Sequence, residues 1–151
     1  MNFENGYAVP ESILSITKEA LLGDHYMISP MFDFDGRSEE EYGHIWEWDD
    51  LTDVIYAEGA YTIRGCVDFE PDCVVLFDDE RPVGFYMGGQ AWVDPQHRGK
   101  SFGAKMVVAC MAMTGRIPEV RYLGFSEQGY RTHTKAIEII RDLDQSASPG
   151  I

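Results

Sequence analysis

The chain has 151 residues, 44% of them apolar, which is enough for one domain with its own hydrophobic core. Its formal net charge is −14; residues 1–80 carry 20 acidic and three basic side chains, whereas residues 81–151 carry six acidic and nine basic ones. The acidic surplus disfavours nucleic-acid binding and no apolar run approaches the length of a membrane span, so we expect a cytoplasmic protein without nucleic-acid or membrane partners.

Neither the cysteines nor the histidines are spaced as a metal site requires. Cys66, Cys73 and Cys110 are odd in number and contain no C-x-x-C pair, and no histidine stands at a zinc-site spacing from them. We therefore expect structural thiols in a reducing compartment and no bound metal.

A helix is predicted near the N-terminus, over residues 10–22. Pro10 suits a first helical position, Gly23 suits a C-terminal stop, and apolar residues between them share one face. The following residues, 24–36, are aromatic and acidic. We interpret them as a connection and a candidate substrate loop.

A second helix is predicted to begin at Ser38, which forms a capping box with Glu41. Aromatic and acidic side chains are interleaved along it. It is either an amphipathic helix whose aromatic residues pack inward, or the mouth of a site for a cationic amine, because carboxylates and aromatic faces both attract cations. On the second interpretation the candidate substrate-binding residues are Trp46, Glu47, Asp49 and Asp50.

The middle of the chain changes from helical to strand-like spacing. β-Branched and aromatic residues separated by polar or glycine turns predict an antiparallel meander. Its strands are predicted over residues 60–69, 73–77, 82–87 and 90–93, with a glycine pair between the last two.

A strand, a basic loop and a buried helix are predicted over residues 91–113, and we expect the other elements to be arranged around them. Arg98 and Lys100 flank Gly99 in the loop. Gly103 falls in the first helical turn, where the lack of a Cβ permits close approach of a ligand. Two cations beside the backbone N–H groups of a helix start favour a phosphate group.

Two kinds of phosphate-binding loop share this order of elements. Gly99-Lys100-Ser101 after a strand is similar to the end of a Walker A loop, but Asp94 stands where that motif has a glycine. Only 50 residues follow Ser101, too few for the parallel sheet of such an ATPase. A nucleotide-binding P-loop protein is therefore disfavoured.

The second kind of loop matches better. The strand end V-D-P (residues 93–95) is followed by R-G-K-S-F-G (residues 98–103) and then by a helix. This stretch resembles the acyl-CoA loop of the GNAT superfamily of N-acetyltransferases, in which V-x-P precedes R/Q-x-x-G-x-G/A. Ser101 stands where the family usually has its first glycine, although a serine hydroxyl can itself donate a hydrogen bond.

The order of elements around the loop is also similar to that of a GNAT fold. After the buried helix, a strand is predicted over residues 120–125 and a last helix over residues 130–143, and residues 145–151 have the composition of a disordered tail. The resemblance implies a single domain over residues 1–144. Its expected class is α/β (α+β), with a mixed, mostly antiparallel central sheet flanked by helices.

The resemblance implies an acetyl-CoA-dependent transfer to a primary amine of a cationic small molecule or of a protein lysine. It also implies that the backbone of Trp92 and Val93 pairs with the pantetheine arm of coenzyme A. The residues expected around the pyrophosphate are Arg98, Gly99, Lys100, Ser101, Phe102 and Gly103.

The proton-transfer groups depart from the family pattern. Gln90 stands where many members have a carboxylate base, and isoleucines stand near where many have a late tyrosine. Glu58, Tyr130 and His133 are the candidate catalytic residues, each with an alternative interpretation as a packing or surface residue. A second function therefore stays open: a GNAT-fold acidic protein that has lost catalysis and acts by binding a basic partner protein. Homodimer formation is also left open.

Overall fold

A computed structural model describes residues 1–22, 50–66, 72–118 and 127–147 of the chain. Five strands and four helices lie in these ranges. In chain order they are α1 (Glu11–Leu14), α2 (Lys18–Leu22), β1 (Leu51–Glu58), β2 (Tyr61–Cys66), β3 (Cys73–Asp78), β4 (Arg81–Met87), β5 (Gln90–Val93), α3 (Phe102–Thr114) and α4 (Glu127–Ala147).

The strands form one sheet in the order β1-β2-β3-β4-β5, and every neighbouring pair is antiparallel. Two-residue turns join β3 to β4 and β4 to β5; Asp79 in the first and Gly88 and Gly89 in the second have positive φ angles. The predicted antiparallel meander is confirmed for β2 to β5, and the protein has a mixed α and β architecture.

Strand β1 was not predicted, and it adds an edge to the meander beside β2. Its pairing with β2 contains register shifts around Val54, so the adjacent residues Ile55 and Tyr56 are both buried and the strict alternation of a half-buried strand is lost. The N-terminal segment covers the outer edge of β1, because Phe3 bridges to Tyr56 and the Glu4 N–H donates to the Ile55 carbonyl at 2.8 Å.

Helix α3 packs across one face of the sheet and is buried along almost its whole length, as the sequence predicts. Apolar residues from β1 to β4 meet it, and α1 and α4 pack around it in the same core cluster. The opposite face of the sheet carries a smaller buried cluster around Val75 and Phe77. The three cysteines are buried and form no disulfide, as expected of structural thiols.

The predicted helix over residues 10–22 is divided in two. The chain leaves α1 after Leu14, and Thr17 starts α2, where its Oγ1 accepts a hydrogen bond from the Ala20 N–H at 3.1 Å. A threonine that caps a new helix competes with the continuation of the old one. The last helix is also longer than residues 130–143, and it includes residues 145–147 of the predicted tail.

Several predicted features lie outside the described residues. They are the connection over residues 24–36, the helix that begins at Ser38, the strand over residues 120–125 and the last part of the tail, residues 148–151. Within the described part of the chain, no helix is both long and apolar enough to cross a membrane.

Candidate functional site

A cleft opens where the end of β5, the following loop, the start of α3 and the first half of α4 meet. Its volume is about 230 Å³. The residues that line it are Ala91, Trp92, Val93, His97, Arg98, Gly99, Ser101, Phe102, Gly103, Ala104, Gln128, Arg131, Thr132 and Lys135. Seven of the eight residues predicted to contact coenzyme A are among them; Lys100 is the exception.

The loop leaves β5 through a short 3-10 turn, Pro95–His97, which Asp94 caps by accepting a hydrogen bond from the Gln96 N–H at 3.2 Å. Two residues then adopt left-handed backbone conformations, Gly99 with φ +88° and Ser101 with φ +62°. Glycine adopts this conformation without strain, whereas serine pays a steric cost. The two turns bring the chain into α3 at Phe102.

The start of α3 faces the cleft, since Phe102, Gly103 and Ala104 all line it. The first N–H groups of a helix have no acceptor within the helix, and the helix dipole adds a partial positive charge there. Such an end attracts an anionic oxygen, and a phosphate group is the common biological case.

Gly103 has a different neighbour from the one expected. A Cβ built on it would lie 3.3 Å from Cγ2 and 3.4 Å from Oγ1 of Thr132, so the missing side chain allows α3 and α4 to touch. The added Cβ would also lie 4.0 Å from the Ala91 Cβ, and both residues line the cleft. The glycine therefore serves helix packing, in addition to any close approach of a ligand.

The two loop cations point in different directions. Arg98 lines the cleft, and its Nε donates to the Val93 carbonyl at 2.6 Å, which fixes the guanidinium at the end of β5. Lys100 lies on the other side of the loop, where its Nζ donates to the Tyr61 hydroxyl at 3.1 Å and sits 4.7 Å from the centre of that ring. The structure thus supports a cleft role for Arg98 and not for the Lys100 side chain.

Helix α4 supplies a cationic wall that the sequence analysis missed. Arg131 and Lys135, one helical turn apart, line the cleft opposite the loop, and His97 lines it from the 3-10 turn. None of the described residues that line the cleft is an aspartate or a glutamate, although the whole chain has a net charge of −14. The i, i+4 spacing of Arg131 and Lys135 on the polar face of an amphipathic helix was the sequence feature that could have predicted this wall.

Glu58 lies away from the cleft, at the end of β1. Its Oε1 accepts hydrogen bonds from Lys105 Nζ at 2.7 Å and from the Tyr56 hydroxyl at 2.5 Å. These two bonds lower the pKa of the Glu58 carboxyl, and the bond from Lys105 has the larger effect. The carboxylate is therefore harder to protonate. A weakened base held by a lysine does not favour the predicted catalytic role.

His133 is fully buried under α4 and does not line the cleft. Its Nδ1 donates to the Gly129 carbonyl at 2.7 Å, which leaves Nε2 to accept from the Tyr86 hydroxyl at 2.9 Å. Burial lowers the pKa of His133 to about 4. These contacts indicate a neutral packing histidine, and Tyr130, half-buried in the same part of α4, is not among the lining residues either.

Asp50 is exposed and precedes β1, at the opposite edge of the sheet from the cleft. Leu51 pairs with Cys66, whereas the loop leaves the sheet at the end where Glu58 pairs with Tyr61. The structure therefore does not bring Asp50 together with the predicted cofactor residues. Trp46, Glu47 and Asp49 lie outside the described residues.

Gln90 begins β5, at the strand end distant from the loop. Its Nε2 is buried and has no hydrogen-bond partner among the described residues. An amide neither accepts nor releases a proton at neutral pH, so this position supplies no general base. Within the described part of the chain, no group of histidine, cysteine or carboxylate residues has the geometry of a metal site.

Comparison with known proteins identified no relative of the chain. No family model, no curated protein and no solved structure matches the chain.

Proposed function

We propose that this protein binds acetyl-coenzyme A in the cleft and transfers the acetyl group to a primary amine on a cationic acceptor. The observation that carries the proposal is the cleft itself. It joins the start of a buried helix to a loop with two left-handed residues. Among the described residues, three permanent cations and no carboxylate line it, in a chain of net charge −14. These features match an anionic ligand with phosphate groups.

The residues at the loop fit the diphosphate of coenzyme A. The N–H groups at the start of α3 offer hydrogen bonds to phosphate oxygens, and the Arg98 guanidinium stands at the same mouth, anchored to β5. Among the described strands β5 is the outermost one at this mouth, and its main-chain groups suit the amides of a pantetheine arm. The diphosphate and the amides of the proposed ligand thus each have a partner at this mouth.

In the reaction, the amine nitrogen attacks the thioester carbonyl, a C–N bond forms, the C–S bond breaks, and the thiolate leaves as coenzyme A. The attacking amine must first lose its proton, and the thiolate gains one. The chain's contribution is to hold the thioester in place, because orientation alone can supply several kcal/mol of the barrier. Water is the simplest proton acceptor here, because none of the described lining residues is a carboxylate.

A P-loop nucleotide-binding protein is a poorer fit to the same loop. In that fold, the strand before the loop belongs to a parallel sheet. Here β5 is the second strand of an antiparallel hairpin with β4, and all five described strands are antiparallel. Asp94 is also engaged in capping the 3-10 turn.

A second function is favoured by one observation. None of Glu58, Tyr130 and His133 lines the cleft, so the described residues place no predicted acid or base beside a bound thioester. A protein that binds coenzyme A without turnover, and acts through a basic partner, would have this site. Binding and turnover must therefore be measured separately.

Two measurements test the proposal. Isothermal titration of the purified protein with acetyl-CoA should give saturable binding in the micromolar range, and ATP should give no comparable binding. Release of free thiol from acetyl-CoA, followed with a thiol reagent over a panel of amines and lysine peptides, should then reveal turnover. Binding without turnover would support the second function, and saturable ATP binding without a response to acetyl-CoA would overturn both.

A further inference from the structure

We propose that Cys66 and Cys73 are a redox modification site, at which a peroxide oxidises the two thiols to a reversible disulfide between the ends of β2 and β3. Neither cysteine lines the cleft, so the inference does not depend on the proposed function. The structure has both as thiols, the state expected in a reducing compartment, where disulfides are transient and redox-sensing.

The sheet register places the two cysteines opposite each other. Gly65 of β2 pairs with Val74 of β3, and Cys66 and Cys73 are the next opposed positions of this antiparallel pair. Opposed residues in such a pair have Cα atoms about 4.5 to 5.5 Å apart, within the range of about 4.4 to 6.8 Å that a disulfide spans. Both side chains belong to the small buried cluster on the sheet face opposite α3. The backbone therefore already has the spacing of a disulfide-bonded pair.

The two sulfurs also interact with each other. The Cys73 thiol has two acceptors within reach, the Cys66 sulfur and, at 3.8 Å, the Val74 carbonyl. Its hydrogen bond lowers the pKa of the Cys66 thiol, against the opposing effects of burial and of the Asp50 carboxylate. The same bond, together with burial, raises the pKa of the Cys73 thiol.

These differences assign the order of reaction. The thiolate is the reactive form of cysteine, and Cys66 forms it more readily than Cys73. Cys66 also keeps 6% of its surface exposed, whereas Cys73 has none. Cys66 therefore meets the oxidant first, and Cys73 is the resolving thiol.

With hydrogen peroxide as the oxidant, the reaction balances in two steps. The Cys66 thiolate attacks one oxygen, the O–O bond breaks, and Cys66 becomes a sulfenic acid while the other oxygen leaves as hydroxide and takes up the thiol proton as water. The Cys73 sulfur then attacks the Cys66 sulfur, an S–S bond forms, the S–O bond breaks and a second water leaves. A dithiol reductant reverses the change by thiol–disulfide exchange.

Cys110 is the internal comparison. It lies on α3 in the larger core cluster, on the other face of the sheet from the pair, and has no exposed surface. Burial raises the pKa of its thiol to about 12, so it stays protonated at neutral pH and should not react.

Peptide mapping of the folded protein tests the inference. Trypsin and a glutamate-specific protease together release residues 65–80, which contain both cysteines of the pair and no methionine, because the bond after Glu70 precedes a proline and resists cleavage. Cys110 falls in a separate peptide, residues 106–116. The protein is treated with hydrogen peroxide, unfolded, alkylated at its remaining thiols and digested without reductant.

We expect the alkylated thiols to fall from three to one. Peptide 65–80 should be lighter than its dithiol form by two hydrogen atoms and carry no alkyl group, and peptide 106–116 should be alkylated. Treatment with a dithiol before alkylation should restore both alkyl groups to peptide 65–80. Two alkylated cysteines in that peptide after peroxide treatment would overturn the inference, as would a disulfide that includes Cys110.

Three variants check the assigned roles, with melting temperatures to show that each is folded. Cys110→Ala, the control, should form the disulfide as the unmodified chain does. Cys73→Ser should stop at the sulfenic acid of Cys66, which dimedone labels, and Cys66→Ser should give neither disulfide nor label. A disulfide that forms in urea and not in the folded protein would overturn the inference, because the native register would then have no part in it.

Discussion

The imidazole of His133 lies between the Tyr86 hydroxyl and the Gly129 carbonyl with no exposed surface. From sequence, a histidine early in an amphipathic helix is equally compatible with a catalytic and an exposed position. The structure shows a third possibility, a neutral histidine that is hydrogen-bonded in the core. It follows from the burial of the helix face that His133 shares with Ala136, Ile137 and Ile140.

Burial of His133 should make stability depend on pH. Its pKa is lowered from 6.5 to about 4 on folding, so the unfolded chain takes up a proton at a higher pH than the folded chain. The stabilisation from the neutral ring is present above pH 6.5 and is lost as the pH falls from 6.5 towards 4. Between pH 7.5 and pH 5 we expect the free energy of unfolding to fall by about 2 kcal/mol from this group.

Urea unfolding at a series of pH values measures this slope, with His133→Gln as the comparison. The variant has no titrating ring, so its stability should be lower at pH 7.5 and should change less between pH 7.5 and pH 5. The Glu58 carboxyl also contributes stability that is lost in acid. Because its pKa lies below the ordinary value of 4.5, that loss occurs mainly below pH 4.5, outside the range of this comparison. A slope that survives in His133→Gln would place the titrating group elsewhere.

Ser101 is a second residue whose local conformation sets a testable cost. Its φ of +62° is left-handed and its hydroxyl caps no N–H of α3, so the side chain gains little for the strain. Relief of that strain exceeds the entropy cost of a glycine, and we expect Ser101→Gly to raise the free energy of unfolding by about 0.5 to 1 kcal/mol. Thermal or urea unfolding gives the value.

Ser101→Ala is the matched control, because it removes the hydroxyl and keeps the strained backbone. It should leave stability unchanged or slightly lower. If coenzyme A affinity falls in Ser101→Ala and is preserved in Ser101→Gly, the loop backbone has moved closer to the diphosphate and compensates for the hydroxyl. A destabilised Ser101→Gly protein would mean that the serine side chain has a stabilising contact.

Packing between elements decides what Gly103 contributes. Helices α3 and α4 approach so closely that a Cβ on Gly103 would press against Thr132 at 3.3 Å. We expect Gly103→Val to destabilise the protein by about 1 to 3 kcal/mol, the usual cost of forcing an extra group into a packed contact. Part of that cost should disappear when Thr132 is shortened.

A double-mutant cycle of Gly103→Val and Thr132→Ala separates packing from ligand binding. If the two helices carry the effect, the stability losses of the single variants should not add, and the double variant should be more stable than their sum predicts. Strict additivity would contradict the packing role. Coenzyme A affinity in the double variant then reports on the proposed diphosphate contact alone.

Elements with a clear period were predictable, and elements with mixed signals were not. The apolar spacing of α3 and the turn residues of the meander predicted those parts correctly. Strand β1 was not predicted, because Asp53, Ala57 and Glu58 are poor strand formers and the bulges of the strand break the alternation of buried and exposed residues. The break between α1 and α2 at Thr17 was not predicted, because similar residues are found at helix caps and within helices.

The candidate site was predictable only on its loop side. The order of glycines and cations predicts a phosphate-binding helix start near residues 98–103, and seven of the eight residues predicted to contact the cofactor line one cleft. The side-chain direction of Lys100 depends on Tyr61 from β2, and the α4 wall depends on how two distant helices pack. Local sequence spacing predicts neither the direction of Lys100 nor the position of the α4 wall.

At the scale of the whole molecule, charge is separated along the sequence. Residues 1–80 have a net charge of −17 and residues 81–151 a net charge of +3, and the cleft belongs to the second part. An anionic ligand is attracted over short distances by the cleft and repelled at long range by the rest of the chain. Because the Debye length is about 10 Å at 0.1 M salt, physiological salt screens the repulsion more than the contacts.

The same separation predicts how an amine acceptor behaves. A cation is attracted by the acidic part of the chain, so its apparent KM, measured at saturating acetyl-CoA, should rise with ionic strength. Neutralising Glu47, Asp49 and Asp50 together should raise it further. Asp50 alone should have almost no effect, because β1 and β5 are opposite edges of the sheet, four strand spacings or about 19 Å apart, which is beyond the Debye length.

Steady-state kinetics with a polyamine at several salt concentrations checks this, with Asp50→Asn beside the triple variant. A raised KM in Asp50→Asn would mean that the acceptor binds at the β1 edge, so that the thioester would have to reach across the sheet from its anchor at the start of α3. A KM that does not respond to salt in any of these proteins would mean that the acidic surplus serves solubility and that the acceptor is chosen by contacts within the cleft.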